Sequence, residues 1–297
     1  MPFKWTQCLL TGAVAVLMAS AGHAQALTGT LKKAWDTGAV TIGYRASSVP
    51  FSYLSVRGEP IGYAIDICRA LVASMEDELG RELVLRWQPV TAESRMQAVS
   101  SGQVDLECGS TTHNVEREKQ VAFSPVTFVS GTKLMVRKGS ALRSFRDLVG
   151  KRVVVSEGTT NEKTMRALSD KFKLGLQLVV ARDHAESFAE LKAGKADAFA
   201  TDDVLLYGLL AQNKAQAEFA VVGEFLSYDP YGIMFRKDDA ALAQLVEQSF
   251  RRQAEEGDLE RLYTRWFLRP LPSGPGINLP MSPQLATIFQ SLVSKPE

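Results

Sequence analysis

Two thirteen-residue stretches constrain this chain more than any other feature: AVSSGQVDLECGS, residues 98–110, and ELKAGKADAFATD, residues 190–202. Each reads as a helix end, a glycine, one polar residue, a small apolar residue, an aspartate, and a strand that runs into a polar end. The matching glycines, Gly102 and Gly194, lie 92 residues apart. That spacing is a domain-sized unit, far longer than the period of a stacked solenoid. Two lobes of one plan are expected.

Around each stretch, strand-like and helix-like runs alternate. VTIGYR (40–45), LVLRWQPV and VDLECG have strand length, and Ile65, Cys68, Val72, Met75 and Leu79 fall on one helical face. TAESRMQAVSSG reads as a short helix with Thr91 as its N-cap and Gly102 past its end. The second round is RVVVSEG, TNEKTMRALSDKF, LQLVVA, HAESFAELKAG and KADAFATDD. This alternation predicts an α/β fold, each lobe a mostly parallel sheet flanked by helices. FVSGTKLMVRKGS lies between the lobes and YDPYGIMFRKDD follows the second. Both are extended and both lead into Arg-Lys, so a two-strand hinge is expected, the chain returning to lobe 1 for its last helices. The expected division is 1–26 leader, 27–131 first part of lobe 1, 132–231 lobe 2, 232–272 return to lobe 1, and 273–297 C-terminal extension.

The leader carries Lys4 and then CLLTGAVAVLMASA, apolar but too short and too rich in small residues to span a bilayer. Ala24 and Ala26 offer small-residue cleavage positions, as in a secretory signal peptide. A soluble, exported protein is expected. Of 34 basic and 33 acidic side chains, losing Lys4 leaves 33 of each. A neutral chain has no global field to draw nucleic acid or a membrane surface, so a charged partner must be met by a few local residues. Cys68 and Cys108 can pair in an oxidising compartment or stay as two separate buried thiols; the residues leave both open. No CxxC, no histidine pair at helical spacing and no carboxylate cluster of calcium type occurs in the sequence, so neither metal nor cofactor is expected.

In open α/β sheets ligands bind beyond the carboxyl ends of the strands. Four strand ends here carry polar residues: Arg45, Ser110 to Thr112, Thr159 with Thr160, and Asp202. Thr91 and His184, at helix starts, fall on the same side. In LECGSTTHNVEREKQVAFS, residues 106–124, a strand opens into small hydroxyls and Arg117 follows at a helix start. A guanidinium offers planar, bidentate recognition of a carboxylate, and Ser110, Thr112 and nearby backbone N–H groups complete an anion cradle. Taken singly, each residue has a plainer role: a surface charge for Arg45, Arg95 and Arg117, an N-cap for Thr91, Thr160 and Asp202, a first-turn residue for His184. Their joint placement at one edge of two sheets is what those roles leave unexplained.

TIGYRASSVPFSYLSVRGEPIGYAIDIC, DLECGSTTHNVEREKQVAFSPVTFVSGTKLMV, VVVSEGTTNEK, ARDHAESF and TDDVLL together resemble the periplasmic amino-acid-binding proteins of ABC importers, the family 3 solute-binding proteins, and most of all their glutamate/aspartate-binding branch. The resemblance runs from about Leu31 to Leu271. It implies a two-lobed binding-protein fold of type II and a monomeric periplasmic protein that captures L-glutamate or L-aspartate for an inner-membrane ABC permease. It further implies that Arg117, Ser110 and Thr112 hold the α-carboxylate and that Asp202 accepts the α-ammonium. Arg45, Arg95 and His184 would meet the side-chain carboxylate, with Thr160 adding a hydroxyl. Ala92 stands where this branch can offer a hydroxyl, and His113 where Asn is familiar. The rival expectations are an enzyme on the same fold, of cyclohexadienyl-dehydratase type, and a ligand sensor for a separate receptor. Against the first, no nucleophile–base–orienter set and no phosphate loop is present, and no catalytic residue is assigned.

Overall fold

The computed structural model describes Met1 and residues 27–294; the leader expectation lies outside the described residues. After helix α1 (Gly29–Thr37) comes strand β1 (Ala39–Tyr44), and then a small meander of β2 (Ser47–Ser48), β3 (Ser52–Leu54) and β4 (Pro60–Ile61). Helix α2 (Tyr63–Leu79), β5 (Val84–Pro89), α3 (Arg95–Ser100), β6 (Leu106–Cys108), α4 (Val115–Glu118) and β7 (Val121–Phe123) complete the first pass. The chain crosses on β8 (Phe128–Ser130) and enters the second lobe on β9 (Thr132–Arg137). That lobe continues with β10 (Arg152–Ser156), α5 (Thr160–Phe172), β11 (Gln177–Ala181), α6 (His184–Lys192), β12 (Ala198–Asp202), α7 (Asp203–Asn213) and β13 (Phe219–Val222). It returns on β14 (Asp229–Tyr231) and β15 (Met234–Arg236), and ends in α8 (Ala240–Glu255), α9 (Asp258–Tyr263) and α10 (Pro283–Val293).

The two five-stranded sheets have the orders β5-β1-β6-β15-β7 and β11-β10-β12-β9-β13. Four strands of each run one way; the antiparallel fourth, β15 or β9, is the strand that arrives directly from the crossover. Each crossover was expected as one continuous run. Instead each breaks at a glycine, Gly131 or Gly232, so that β8 and β14 pair with each other while β9 and β15 join different sheets. At Gly131 the reason is close approach: a Cβ there would collide with the Ser227 carbonyl.

The repeated aspartates explain the repeated stretch. Asp105 Oδ2 accepts the Thr41 N–H at 2.8 Å while the Asp105 N–H reaches the Thr41 carbonyl. Asp197 does the same to Arg152, at 2.9 Å. Each aspartate thus pins the middle strand of its lobe's parallel trio through both backbone groups of one residue. Gly102 and Gly194 both have φ of +73°, which ends each preceding helix. Thr91 was expected to cap a helix directly. It caps a turn instead, accepting from the Ser94 N–H at 3.0 Å, and the helix proper begins at Arg95.

Lobe 1 has one large core in which Ile42, Phe51, Ile65, Leu71, Phe250 and Phe267 are fully enclosed. Helix α10 adds Leu285, Phe289 and Leu292 to it. Cys68 on α2 and Cys108 at the end of β6 are joined by a disulfide, their Cα atoms 6.3 Å apart. The bridge closes 40 residues, for which loop-closure entropy gives about 4 kcal/mol. Lobe 2 instead has two smaller clusters, one around Phe188 and Phe199, the other around Leu148 and Val155. Among the described residues, no helix is long and apolar enough to cross a membrane.

Candidate functional site

The polar strand ends meet between the lobes. A small cavity is lined by Arg45, Arg95, Ser110 and Thr112 from lobe 1, and by Thr159, Thr160, Asn161, His184, Asp202 and Leu205 from lobe 2. Seven of the eight residues given a ligand role in the sequence line it. The eighth, Arg117, sits one bond behind, donating Nη1 to the Thr112 carbonyl at 2.7 Å. Its helix α4 is capped by Asn114, whose side chain accepts the Arg117 N–H at 3.0 Å.

The lobes are closed on each other. Thr112 Oγ1 lies 3.2 Å from Thr160 Oγ1 across the cleft. A Cβ at Gly208 on α7 would collide with the Val49 carbonyl of lobe 1. One at Gly158, where φ is +70°, would come within 2.8 Å of the Glu93 backbone. Val204 and Leu205 of α7 are packed into the lobe 1 core.

Three guanidiniums mark the lobe 1 side. Arg45 is buried, and loss of water, then the neighbouring Arg95, lowers its pKa to about 10. Arg117 is lowered to about 9 for the same two reasons. Burial lowers Arg95 too, with Glu107 opposing. All three remain cationic at neutral pH. Arg95 Nη1 donates to Thr111 Oγ1 at 2.6 Å, and the Thr111 hydroxyl in turn donates to Glu107 Oε2 at 2.7 Å. Arg45 Nη2, Arg95 Nε and Ser110 Oγ are buried without a hydrogen-bond partner. Buried donors of this kind normally have partners, and an unmet cationic one is especially costly. The arrangement is suited to an incoming anion.

The lobe 2 side is neutral or acidic. Asp202 Oδ1 accepts from Asn161 Nδ2 at 2.8 Å, and Tyr231 of the crossover strand donates to Oδ2. Burial and then the neighbouring Asp229 raise the Asp202 carboxyl to about 8. Asp229 Oδ1 accepts from Thr112 at 3.0 Å, tying the crossover to the lobe 1 hydroxyls. Burial holds His184 well below the ordinary histidine range, and Arg45 and Arg95 add to this.

Sequence reasoning placed Thr111 and Thr159 among the polar strand ends without giving them a ligand role; it missed Asn161 and Leu205 in the lining, and Ser156, Asp229 and Tyr231 behind it. The hydroxyl at the end of the apolar run VVVS was the available signal for Ser156. His113 stacks on Phe123 at 4.5 Å and pairs with Glu118, so it lies outside the cavity. Among the described residues, no group of three or more His, Cys, Asp or Glu could hold a metal ion.

Two similar α/β lobes, joined by paired crossover strands and closed over a charged polar cavity, define a two-lobed solute-binding protein. Residues 40–269 match the model of the bacterial extracellular solute-binding proteins, family 3, and the chain belongs to that family. It is 42% identical over 290 residues to an L-glutamate/L-aspartate-binding protein of Pseudomonas aeruginosa, covering 97% of this chain and 96% of that one. It is 37% identical to the glutamate/aspartate import solute-binding protein of Escherichia coli, over 94% and 95% of the two chains. Among solved structures, an ancestral arginine-binding protein bound to arginine aligns with a TM-score of 0.70 at 29% identity, covering 77% of this chain and 98% of that one. An ancestral amino acid-binding protein, a precursor of cyclohexadienyl dehydratase, aligns at 0.69 and 29% identity, over 80% and 99%.

Proposed function

We propose that this protein captures L-glutamate or L-aspartate between its lobes and delivers it, unaltered, to an ABC permease of the inner membrane. The observation that carries the reading is the pair of buried guanidiniums, Arg45 and Arg95, each with an unmet donor, opposed across the cavity by Asp202. An α-amino acid needs one anion site and one cation site; the extra positive pole calls for a second carboxylate. The names of the two curated relatives support the same ligand class.

In this reading Arg117, Ser110 and Thr112 hold the α-carboxylate, and Asp202 takes the α-ammonium, which favours the ionised form of its carboxyl. Arg45, Arg95 and His184 meet the side-chain carboxylate, and Thr160 adds its hydroxyl. The ligand docks first on lobe 1, made of residues 27–131 and 232–272. Closure of lobe 2, residues 132–231, then excludes water, and charge-assisted bonds in the dry site favour the closed state. Helix α10 of the C-terminal extension braces lobe 1. The protein acts as a periplasmic monomer after loss of residues 1–26. It needs no cofactor or metal, and no step makes or breaks a covalent bond.

The test is a thermal-shift and calorimetric panel of the twenty amino acids, repeated with Arg45→Ala. Shifts confined to the acidic amino acids, with a Kd near micromolar (roughly −8 kcal/mol), are expected in the unsubstituted protein and are lost in the variant. Stabilisation by lysine or leucine and not by glutamate or aspartate overturns the ligand assignment. Recovery of a changed ligand after incubation overturns capture without chemistry.

A further inference from the structure

Behind His184 runs a hydrogen-bond chain whose three contacts are all filled in only one direction. Ser187 Oγ donates to the Asp183 carbonyl at 2.9 Å. A hydroxyl has one proton, so the 2.8 Å contact between Ser187 and Ser156 requires Ser156 Oγ to be the donor. With the Ser156 proton so used, its 2.8 Å contact with His184 Nδ1 can be filled only by a proton on Nδ1. All these groups belong to lobe 2, so the direction holds whether the cleft is open or closed.

A second proton on the ring is opposed from several sides. The ring is buried, and Arg45 at the end of β1 and Arg95 on α3 face it across the cleft. His184 is the first residue of α6, where the helix dipole disfavours a cation. Of the nearby carboxyls, Asp183 on the same helix is engaged as its cap by the Glu186 N–H, and Asp202 at the end of β12 is bonded to Asn161 and Tyr231. The ring is therefore neutral with its proton on Nδ1. Its other nitrogen, Nε2, is the one left for the cavity, and it carries a lone pair.

We propose that Ser156 and Ser187 make His184 Nε2 a hydrogen-bond acceptor, so that the site takes up a proton with a side-chain carboxylate but not with a side-chain amide. This rests on the reading of the cavity as a glutamate/aspartate site. A carboxylate laid against a lone pair needs a shared proton, on Nε2 or on its own oxygen. An amide brings its own N–H donors to Nε2 and turns its carbonyl oxygen toward Arg45 and Arg95. Ser156 and Ser187 act through the ring and are positioning residues. The preference for acid over amide accordingly weakens as pH rises. Protons exchanged at Asp202 follow the α-ammonium, which both ligands carry, and they cancel in the difference between them.

The experiment is calorimetry near pH 8 with L-glutamate and L-glutamine, each in phosphate and in Tris buffer, whose ionisation heats differ. Glutamate is expected to take up about one proton more than glutamine, and the glutamine-to-glutamate Kd ratio to shrink by up to about tenfold per pH unit between about pH 7 and 9. Ser156→Ala and Ser187→Ala each release the ring to carry its proton on Nε2. In either variant that folds, the proton difference falls toward zero while glutamate still binds. A nitrogen NMR spectrum of the histidine rings reads the tautomer without any ligand: protonated Nδ1 and bare Nε2 for His184 in the unsubstituted protein, mixed or reversed in the variants. Equal proton counts for the two ligands, or a protonated Nε2 in the unsubstituted protein, overturns the proposal alone. No heat with either acidic amino acid overturns the functional reading instead, and the ring spectrum still decides the tautomer.

Discussion

The two lobes share a topology but not a charge. Strand pairing aligns them position by position: Ile42 lies opposite Leu106 in lobe 1, and Val153 opposite Ala198 in lobe 2. Carried along those registers, Arg45 occupies the place of Ser156, Glu107 that of Phe199, and Ser110 that of Asp202. The pinning aspartates, Asp105 and Asp197, occupy one place and make one interaction. What serves the scaffold is repeated, and what faces the cleft is not. Lobe 1 supplies three cations and lobe 2 supplies the carboxylate of Asp202 and a neutral imidazole. A zwitterion with a second negative end is complemented by neither lobe alone. Under the proposed function, that division is what makes ligand binding favour closure, because a ligand shifts an equilibrium only through its differential affinity for the two states.

The largest effect is expected from removing the lobe 1 pole. Truncating one partner of a buried charge contact costs about 2–5 kcal/mol. Arg45→Met should therefore weaken glutamate binding roughly 100-fold or more by calorimetry. The melting temperature without ligand should stay level or rise, since a buried charge with an unmet donor has been removed. A fall in ligand-free stability with unchanged affinity would make Arg45 a structural residue and erase the contrast between the lobes.

Neutralising the lobe 2 pole comes next. Asp202→Asn removes a charge-assisted bond to the ammonium, worth about 1.5–3 kcal/mol, or roughly 10- to 100-fold in Kd. It also tests a sign. Because burial raises the Asp202 carboxyl to about 8, the closed protein holds a proton that the unfolded chain releases near pH 4. Ligand-free stability then falls as pH rises from about 4 to about 8, and the Asn variant should lose much of that slope in pH-dependent melting.

Between the poles lies closure itself. Gly208→Ala places a methyl against the Val49 carbonyl without a backbone penalty, since Gly208 is helical. Overpacking of about 1–3 kcal/mol predicts a 5- to 100-fold loss of affinity, roughly, and a more open scattering profile with both lobes still folded. The smallest effect is expected at His113→Asn. That ring stacks on Phe123 outside the cavity, so the change in Kd should stay within about threefold. A larger loss would extend the ligand site beyond the residues that line the cavity.

Much of this was legible in the sequence, and the reasons differ by element. Short apolar runs located β1 and β10, and apolar residues on one helical face located α2, because burial of a strand or of a helix face leaves a local pattern. The strand-end rule picked out Arg45, Ser110, Thr112 and Asp202 before any contact was known. The crossovers were located as extended runs, yet their breaks at Gly131 and Gly232 were not, because close approach by another segment leaves no local pattern. Tyr231 and Ser156 were missed for a related reason: each acts by holding another side chain, and that pairing exists only after folding.

The sequence by itself determined the alternation of strands and helices, the doubled plan and the polar residues at the strand ends, all of which follow from local periodicity and residue chemistry. Only the tertiary structure decided that Cys68 meets Cys108, that Asp202 lies beside Asn161 and Tyr231, and that His184 Nδ1 lies against Ser156. Those outcomes depend on which distant atoms come within bonding distance and are cut off from water, a property of the packed chain that no local stretch contains.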